Sequence, residues 1–457
     1  MMEENMIEKL FKLSENKTNV RTEVVAGITT FMTMAYILAV NPSLLSASGM
    51  DATAVLIATC LASFVGTMAM ALLANYPFAL APGMGLNAYF AYTVCVGMGY
   101  DWRVALMAVF IEGLIFIVLS LTSVREAIFN AIPSNLKKGV SAGIGLFIAF
   151  IGLQNAHLVV NNDSTLVSYV DFAGNFHTEG ICAILALIGL LLIAVLYVKQ
   201  VKGAILIGIV ATWILGMICE AAGLYVVTPD AGFYSLYPTF GLTDFSAIGK
   251  TFGQCFSADY SNVSVANFIV VIFAFLFVDM FDTIGTLIGV ATKADMLDKE
   301  EKLPRIKMAL LADAIATSAG AVFGTSTTTT FVESSAGVGA GARTGLASVV
   351  TGFLFLIAIF FAPIFTAIPG FATAPALLFV GFLMVSAILK VDFEDIAEAF
   401  PAYLCMTAMP LLYSISEGIA IGVISYVVVN LCCGKAKKIT PLMYVLAVVF
   451  VCKYIFL

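Results

Sequence analysis

The chain has 457 residues, of which 61% are hydrophobic and only 11% are charged, and its formal net charge at neutral pH is −7. A water-soluble domain of this composition would have to expose an oily surface, so the soluble classes are excluded. Apolar runs of about 20 residues recur from end to end, which is typical of a polytopic helical membrane protein.

The N-terminal stretch 1–21 is polar and mixed in charge. It has no short apolar core followed by a small-residue cleavage site, so we predict no signal peptide. We expect this segment to stay in the cytoplasm, ahead of the first membrane span.

Fourteen apolar segments follow, up to about residue 432. They lie at 22–45, 52–74, 78–97, 101–122, 137–155, 180–198, 202–222, 264–290, 304–322, 325–341, 344–367, 373–390, 397–413 and 416–432. A fifteenth, 440–456, falls in the C-terminal segment 433–457. It is either an extra span or an apolar helix at the membrane interface, and the sequence leaves both interpretations open.

Basic residues show which ends of these segments face the cytoplasm. With a cytoplasmic N-terminus, nineteen of the 22 lysines and arginines fall on the cytoplasmic side, as the positive-inside rule requires. They are Lys9, Lys12, Lys17, Arg21, Arg125, Lys137, Lys138, Lys199, Lys202, Lys293, Lys299, Lys302, Arg305, Lys307, Arg343, Lys390, Lys435, Lys437 and Lys438.

A polar linker at about 223–263 divides the segments into two sets of seven. Because seven is odd, the second set must be inverted in the membrane relative to the first. The third segment of each set is interrupted: 75–92 has two prolines and two glycines at its start, and 323–342 has a threonine run followed by glycines. Glycine-rich segments can simply allow close helix packing. A matched pair of interrupted segments instead favours the binding site of a transporter.

Several acids lie inside apolar segments, where a carboxylate costs about 3 kcal/mol on insertion scales. No lysine or arginine lies near the middle of a predicted span. The acids must therefore be protonated, hydrated, hydrogen-bonded or able to receive a ligand that offers donors. The set comprises Glu112, Asp279, Asp282, Asp313 and Glu333, with Asn87 in the first interrupted segment.

Three of these acids are predicted to be functional. Asp279 and Asp282 are three residues apart, so they share one helix face. Glu333 follows the run TSTTTT (325–330), where an extended piece would lead into a half-helix with free backbone groups. We interpret Glu112 and Asp313 as structural hydrogen-bond partners of neighbouring helices.

Four motifs of this chain resemble those of a known family, and the resemblance covers essentially the whole chain. They are GITTFMTMAYILAVNP (27–42), APGMGLNAYF (81–90), FVDMFDTIGT (277–286) and GTSTTTTFVESSAGVGAGARTG (324–345). In these stretches the chain resembles the AzgA-like purine permeases, a branch of the nucleobase–ascorbate transporter group. The resemblance implies the uracil-permease fold: an all-α protein of about fourteen transmembrane segments in two inverted seven-helix repeats, with short strands in segments 3 and 10. It also implies a core domain, 22–122 with 264–367, and a gate domain, 137–222 with 373–432.

The resemblance implies uptake of hypoxanthine, guanine or adenine together with protons. Carried over by motif, the substrate-binding residues are Asp279, Glu333 and Asn87, and the auxiliary acid is Asp282. We expect Asp282 to carry the proton, with Asp279 or Glu333 as alternatives. A carboxylic acid in a low-dielectric site holds a proton more readily than one in water. Sodium coupling stays open, because the same acids could supply oxygen ligands.

The sequence disfavours two other classes of function. An ion or anion channel of this fold would favour arginine, lysine or helix N-termini over clustered carboxylates. An intramembrane enzyme is disfavoured, because the chain has only His157 and His177, both in a predicted outside linker, and no HExxH or GxSxG motif.

We therefore expect a transporter of the cytoplasmic membrane, not an enzyme, with no cofactor, metal or nucleic acid. Its expected partners are a purine nucleobase, a proton and membrane lipid. Association into homodimers and the preference among the three bases stay open.

Overall fold

The computed structural model describes residues 2–122, 132–238, 241–261, 263–293, 296 and 303–456. Arg125, Lys299 and Lys302, used above to orient the spans, lie outside the described residues. Within the described ranges, eleven helices are long and apolar enough to cross a membrane. The prediction of an all-α polytopic membrane protein is therefore confirmed.

The first half begins with a short amphipathic helix and continues with long apolar ones. Its elements are α1 (Met2–Phe11), α2 (Val20–Met34), α3 (Ile37–Ser46), α4 (Ala52–Ala69), β1 (Leu80–Pro82), α5 (Met84–Ala88), α6 (Trp102–Leu121), α7 (Ser134–Asn155), the hairpin β2 (Val159–Asn162) and β3 (Leu166–Tyr169), α8 (Ile181–Val198) and α9 (Ala204–Ala221). π-helical turns extend α4 through Met70–Ala74 and α5 through Tyr89–Gly97.

The second half follows a linker that contains short 3₁₀ helices. Its elements are α10 (Val265–Lys293), α11 (Ile306–Phe323), β4 (Thr328–Thr330), α12 (Ser334–Gly339), α13 (Gly345–Ala358), α14 (Ala362–Thr366), α15 (Gly370–Val385), α16 (Ile396–Leu411), α17 (Ile415–Cys432) and α18 (Pro441–Phe456).

The two interrupted segments meet as a two-stranded sheet. Strand β1 pairs with β4 in antiparallel register, with Leu80 opposite Thr330 and Pro82 opposite Thr328. Antiparallel pairing is what two inverted repeats produce when equivalent strands meet. The prediction of short strands in segments 3 and 10 is confirmed, and the β-branched threonines explain why this stretch is extended rather than helical.

Two predicted segments differ in detail from the observed elements. The first span is two helices, α2 and α3, with a break at Ala35 and Tyr36. Segment 10 has only the strand β4 and the six-residue helix α12. The hairpin of β2 and β3 was not predicted, because short polar strands leave a weak periodic signal.

The helices pack in two groups. In one, α11 packs against α4 and α6, and α13 against α2 and α4. In the other, α7 packs against α15 and α16, α16 against α17, and α8 against α9 and α15. Helix α10 packs on α6 and β4, so the acid-bearing helix lies with the first group.

The C-terminal helix α18 runs alongside α17 in the opposite direction. Tyr454, near its end, donates a hydrogen bond to the carboxylate of Glu417 in the first turn of α17. Phe450 contacts Phe273 of α10, with ring centroids 5.9 Å apart. With 16 residues, α18 is shorter than the eleven helices counted above, so both interpretations of 440–456 stay open.

Candidate functional site

A cavity of about 850 Å³ lies against the paired strands. Its wall includes the side chains of Tyr36, Asp282, Phe331 and Glu333 and the backbone at Gly83. The volume lies within the range of small-molecule pockets, about 300–1,000 Å³. Two carboxylates beside aromatic rings form a site suited to a flat ligand that carries N–H donors.

Exposed residues line the cavity near the start of helix α7. The cavity mouth is lined by Gln200, Lys202 and Lys390, which are exposed. Lys138, near the start of α7, donates to the backbone oxygen of Lys390 at 2.5 Å. By the distribution of basic residues this end is the predicted cytoplasmic one.

Aromatic and amide side chains pack together at the other end of α7, about 33 Å away for a helix of 22 residues. The Tyr413 hydroxyl donates to Oε1 of Gln154 at 2.9 Å, and its backbone oxygen accepts from Thr93 at 3.3 Å. The Tyr92 hydroxyl lies 3.4 Å from Oδ1 of Asn155. These contacts tie the segment after β1 to helices of the second packing group on the side opposite the mouth.

Glu333 lies at the junction between the extended run and the half-helix α12. It is the N-cap residue of α12, and its Oε1 accepts a hydrogen bond of 2.6 Å from the Tyr36 hydroxyl. The break between α2 and α3 places Tyr36 opposite this junction. The Glu333 side chain is half-buried, so the phenol positions a carboxylate that still faces the cavity.

Asp282 enters the cavity wall next to the first interrupted segment. A Cβ added at Gly83 would lie 3.4 Å from Oδ2 of Asp282 and 2.7 Å from Cγ2 of Thr329. Glycine at this position therefore lets α10 and both strands approach one another closely. Asp282 and Glu333, far apart in sequence, line the same cavity.

The threonine run connects the strand to three helices through alternate side chains, as a period of two requires. Thr325 accepts from Asn41 of α3 at 2.9 Å, and Thr327 donates to Oε2 of Glu112 in α6 at 2.7 Å. Thr329 lies 2.7 Å from the hydroxyl of Thr283 in α10. These bonds explain why polar residues occupy a buried strand without a second sheet neighbour.

Asp279 does not line the cavity. It is fully buried, and its Oδ1 accepts from Thr283 at 2.9 Å. The same hydroxyl lies 3.0 Å from Oδ2 of Asp313 in α11. The structure thus brings Asp279 together with Asp313 behind the strand, whereas Asp282, one turn further along α10, faces the cavity.

Asn87 is also buried away from the cavity. Its Oδ1 accepts a hydrogen bond from Ser326, and its Nδ2 donates to the backbone oxygen of Pro82 at 3.3 Å. It therefore joins the two interrupted segments to each other.

Several residues of the wall have no role predicted from the sequence, among them Thr33, Tyr36 and Phe331. Phe331 directly follows the threonine run, and Tyr36 lies in the quoted motif 27–42. The sequence signal that could have identified Phe331 as a site residue is its position next to the predicted break. No local signal distinguishes Tyr36 from the other aromatic residues of an apolar span.

Comparisons with known proteins agree with this architecture. Residues 21–421 match the permease family Xan_ur_permease. The chain is 46% identical over 456 residues to the guanine/hypoxanthine permease PbuG of Bacillus subtilis, covering 98% of this chain and 99% of PbuG. It is 40% identical over 454 residues to the adenine permease AdeP of Escherichia coli, covering 99% and 97%.

Among solved structures, the transmembrane domain of the cyanobacterial bicarbonate transporter BicA is similar in fold, with a TM-score of 0.63 at 15% identity, covering 89% of this chain and 97% of BicA's. At that identity the likeness concerns the fold alone, and it agrees with the inverted-repeat arrangement of the helices. A match over most of the chain to a permease family, with relatives of 40% identity or more over nearly their whole length, shows that the protein is a multi-pass membrane transporter of the Xan_ur_permease family, as its resemblance to the nucleobase–ascorbate transporter group implied.

Proposed function

We propose that this protein imports purine nucleobases across the cytoplasmic membrane, with its N-terminus in the cytoplasm, by symport with protons. The observation that carries the proposal is the pair of carboxylates, Asp282 and Glu333, in one cavity with Tyr36 and Phe331. The names of PbuG and AdeP support the substrate class, hypoxanthine, guanine or adenine.

The chemistry of the wall suits a purine. The ring N–H groups of the base donate to the carboxylate of Glu333, which Tyr36 already holds in position through its hydroxyl. Hydrogen bonds to a charged acceptor contribute about 1.5–3 kcal/mol each. A site with such groups also rejects analogues that cannot pair with them, because its polar groups would be left buried and unsatisfied.

Asp279 and Asn87 were predicted to bind the substrate, and in this proposal they have a structural role instead. Neither side chain lines the cavity in this conformation. We assign both to holding the interrupted segments in place: Asn87 through Ser326 and Pro82, and Asp279 through Thr283. Glu333 remains as the acid that binds the base, and Asp282 as an acid of the proton pathway.

The two packing groups supply the moving parts. We assign 22–122 with 264–367 to a core domain that carries the site and 137–222 with 373–432 to a gate domain. The mouth at Lys202 and Lys390 makes this conformation open toward the cytoplasm, whereas the cluster around Tyr413 closes the other side. Uptake then requires the core and gate domains to move relative to each other, so that the mouth closes and the contacts around Tyr413 separate.

Competition for uptake tests the substrate class. Cells that express the protein should take up radiolabelled hypoxanthine saturably, and unlabelled purines should compete. Purines methylated at the ring nitrogens should compete poorly, because they have lost the N–H donors. If purines and uracil had equal effects, or if no saturable uptake were found, the purine assignment would be wrong.

An imposed gradient tests the coupling ion. Uptake into proteoliposomes should follow an inward proton gradient, collapse with a protonophore and be insensitive to replacement of sodium by choline. Asp282→Asn should retain purine binding but lose accumulation against a gradient. A requirement for sodium with no effect of the protonophore would favour the sodium alternative.

A further inference from the structure

Two helices, α10 and α11, and the threonine strand meet at the hydroxyl of Thr283 in α10. Its oxygen lies 2.9 Å from Oδ1 of Asp279, 3.0 Å from Oδ2 of Asp313 and 2.7 Å from the hydroxyl oxygen of Thr329. All four side chains are buried, with exposures of 0–1%. The three contacts have the lengths of hydrogen bonds.

The number of hydrogens at this point is limited. A threonine hydroxyl donates one hydrogen, whereas an ionised carboxylate only accepts. If the Thr283 hydroxyl donates its hydrogen to Asp279, a hydrogen bond between Thr283 and Asp313 requires Asp313 to be the donor. If Thr283 donates to Asp313 instead, Asp279 must be the donor. With both acids ionised, one of the two contacts would set lone pair against lone pair inside the protein. One hydrogen shared between two ionised carboxylates would hold two negative charges together inside the protein, so the contacts are best satisfied when one of the two acids carries a proton.

Neighbouring charges act in the same direction. Other acids lie on the elements packed here: Asp282 on the same face of α10, Glu112 bonded to Thr327 in the threonine run, and Glu333 at the start of α12. The sequence places no lysine or arginine near the middle of a predicted span. Acids that repel one another in a dry site share protons.

We infer that Asp279 and Asp313 share one proton through Thr283, and that this proton is the one carried with the purine. The inference rests on the proposed proton-coupled uptake and adds Asp313 and Thr283 to its machinery. Since Thr329 belongs to β4, the state of the pair acts on the strand that leads to Glu333. On release toward the cytoplasm, the acid's O–H bond breaks and the proton passes to Asp282, which lines the open cavity, and then to water.

Paired substitutions of Thr283 separate hydrogen bonding from packing. Thr283→Ser keeps the hydroxyl and loses a methyl group, whereas Thr283→Val keeps the shape and loses the hydroxyl. We expect Thr283→Ser to move one proton per purine, as the wild type does, and Thr283→Val to lose gradient-driven accumulation while keeping purine counterflow. The opposite ranking would show a packing role and would overturn the inference. Thr212→Val is a matched control, because that buried hydroxyl donates to the backbone oxygen of Gly208 within its own helix, α9, at 2.8 Å.

Asp313→Asn tests the shared proton itself. The amide donates permanently to Thr283, so Asp279 becomes ionised and no proton is exchanged. Purified Asp313→Asn protein should bind purine within about threefold of the wild type and catalyse counterflow. It should show no purine-driven proton movement with a pH dye, and it should lose an infrared band of a protonated carboxyl group. Normal proton-to-purine coupling in this variant would refute the assignment.

Two measurements on the wild type keep the inference testable if a variant fails to fold. Absence of any protonated carboxyl band at neutral pH would overturn the shared proton without any substitution. Absence of purine binding, or of proton movement during uptake, in the wild type would instead reject the proposed function. The two failures are therefore distinguishable.

Discussion

The Glu333 side chain faces the cavity and is also held in a fixed position by its neighbours. It is held by the Tyr36 hydroxyl at 2.6 Å, and its backbone oxygen lies 3.5 Å from the Thr33 hydroxyl. A carboxylate fixed in this way loses little conformational entropy when a ligand binds, which favours affinity. The phenol and the ligand can both donate to it, because a carboxylate has several acceptor sites.

We expect Glu333→Gln to weaken purine binding by roughly 10- to 150-fold, since it removes a charged hydrogen bond of about 1.5–3 kcal/mol. Tyr36→Phe should weaken binding less, because the acceptor stays and only its positioning is lost. Equilibrium binding to purified protein measures both effects. Tyr454→Phe is the matched control, since it removes a tyrosine–glutamate hydrogen bond outside the cavity. Wild-type affinity in Glu333→Gln would remove that residue from the site.

Gly83, in the wall of the same cavity, packs too closely against its neighbours to accommodate a side chain. Its missing side chain lets Thr329 and Asp282 approach, and an added Cβ would lie 2.7 Å from the Thr329 methyl group. We expect Gly83→Ala to lower transport activity by overpacking, an effect of about 1–3 kcal/mol. Gly370→Ala, where an added Cβ meets no atom within 4 Å, should leave uptake unchanged. Equal uptake rates in the two variants would contradict this reading.

At the scale of elements, the paired strands are supported from outside the sheet. The backbone N–H of Leu80 donates to the Thr67 hydroxyl at 3.0 Å, and Thr317 donates to the oxygen of Thr328 at 3.0 Å. A two-stranded sheet is marginal alone. Hydrogen bonds from α4 and α11 therefore explain how so short a sheet persists inside a helical protein.

Charges also hold elements together at the predicted cytoplasmic surface. Asp395 is the N-cap of α16, and Lys435 and Lys438, beyond α17, bind its carboxylate at 2.9 and 3.2 Å. The hydrogen bonds from Lys435 and then Lys438 lower the pKa of Asp395 below its usual range. Since the folded-state pKa is depressed, this stabilisation is complete above the unfolded-state pKa and is lost as the pH falls through the folded-state value.

Asp395→Asn should therefore lower the thermal midpoint slightly at pH 7, and the difference between the wild type and the variant should be smaller near pH 3. Asparagine also caps helices well, so the substitution isolates the charge. Thermal unfolding in detergent at both pH values measures the effect, and high salt should reduce it at pH 7. A gap that is the same at both pH values would show that the ion pairs contribute nothing.

For the whole molecule, the central question is which side of the membrane each linker faces. The cavity mouth lies on the side with Lys202 and Lys390, which the positive-inside rule makes cytoplasmic. Helix α18 runs back along α17, from its end near Lys435 toward Glu417. We predict that α18 crosses the membrane and that the C-terminus lies outside the cell.

Single cysteines in a variant without the nine native ones test this arrangement. A cysteine in the linker 226–262, or one appended after residue 457, should react with an impermeant thiol reagent in intact cells. A cysteine in the linker 291–303 should be protected until the cells are opened. The reverse pattern would invert the topology, and protection at the C-terminus alone would make α18 a helix that does not cross.

The amino-acid sequence alone was enough to predict the membrane class, the two inverted halves, the interrupted third segments and the presence of acids inside apolar segments, because each depends on local composition, spacing and charge. Which acid faces the cavity depends on how α10 is rotated against α11 and the strands, and spacing along one helix does not specify that rotation. Asp279 and Asp282 share a face by sequence, yet close packing at Gly83 and the Thr283 hydroxyl place one in the cavity wall and the other beside Asp313. Contacts such as Tyr36 with Glu333 join residues 297 positions apart, so they arise only when the two halves pack together.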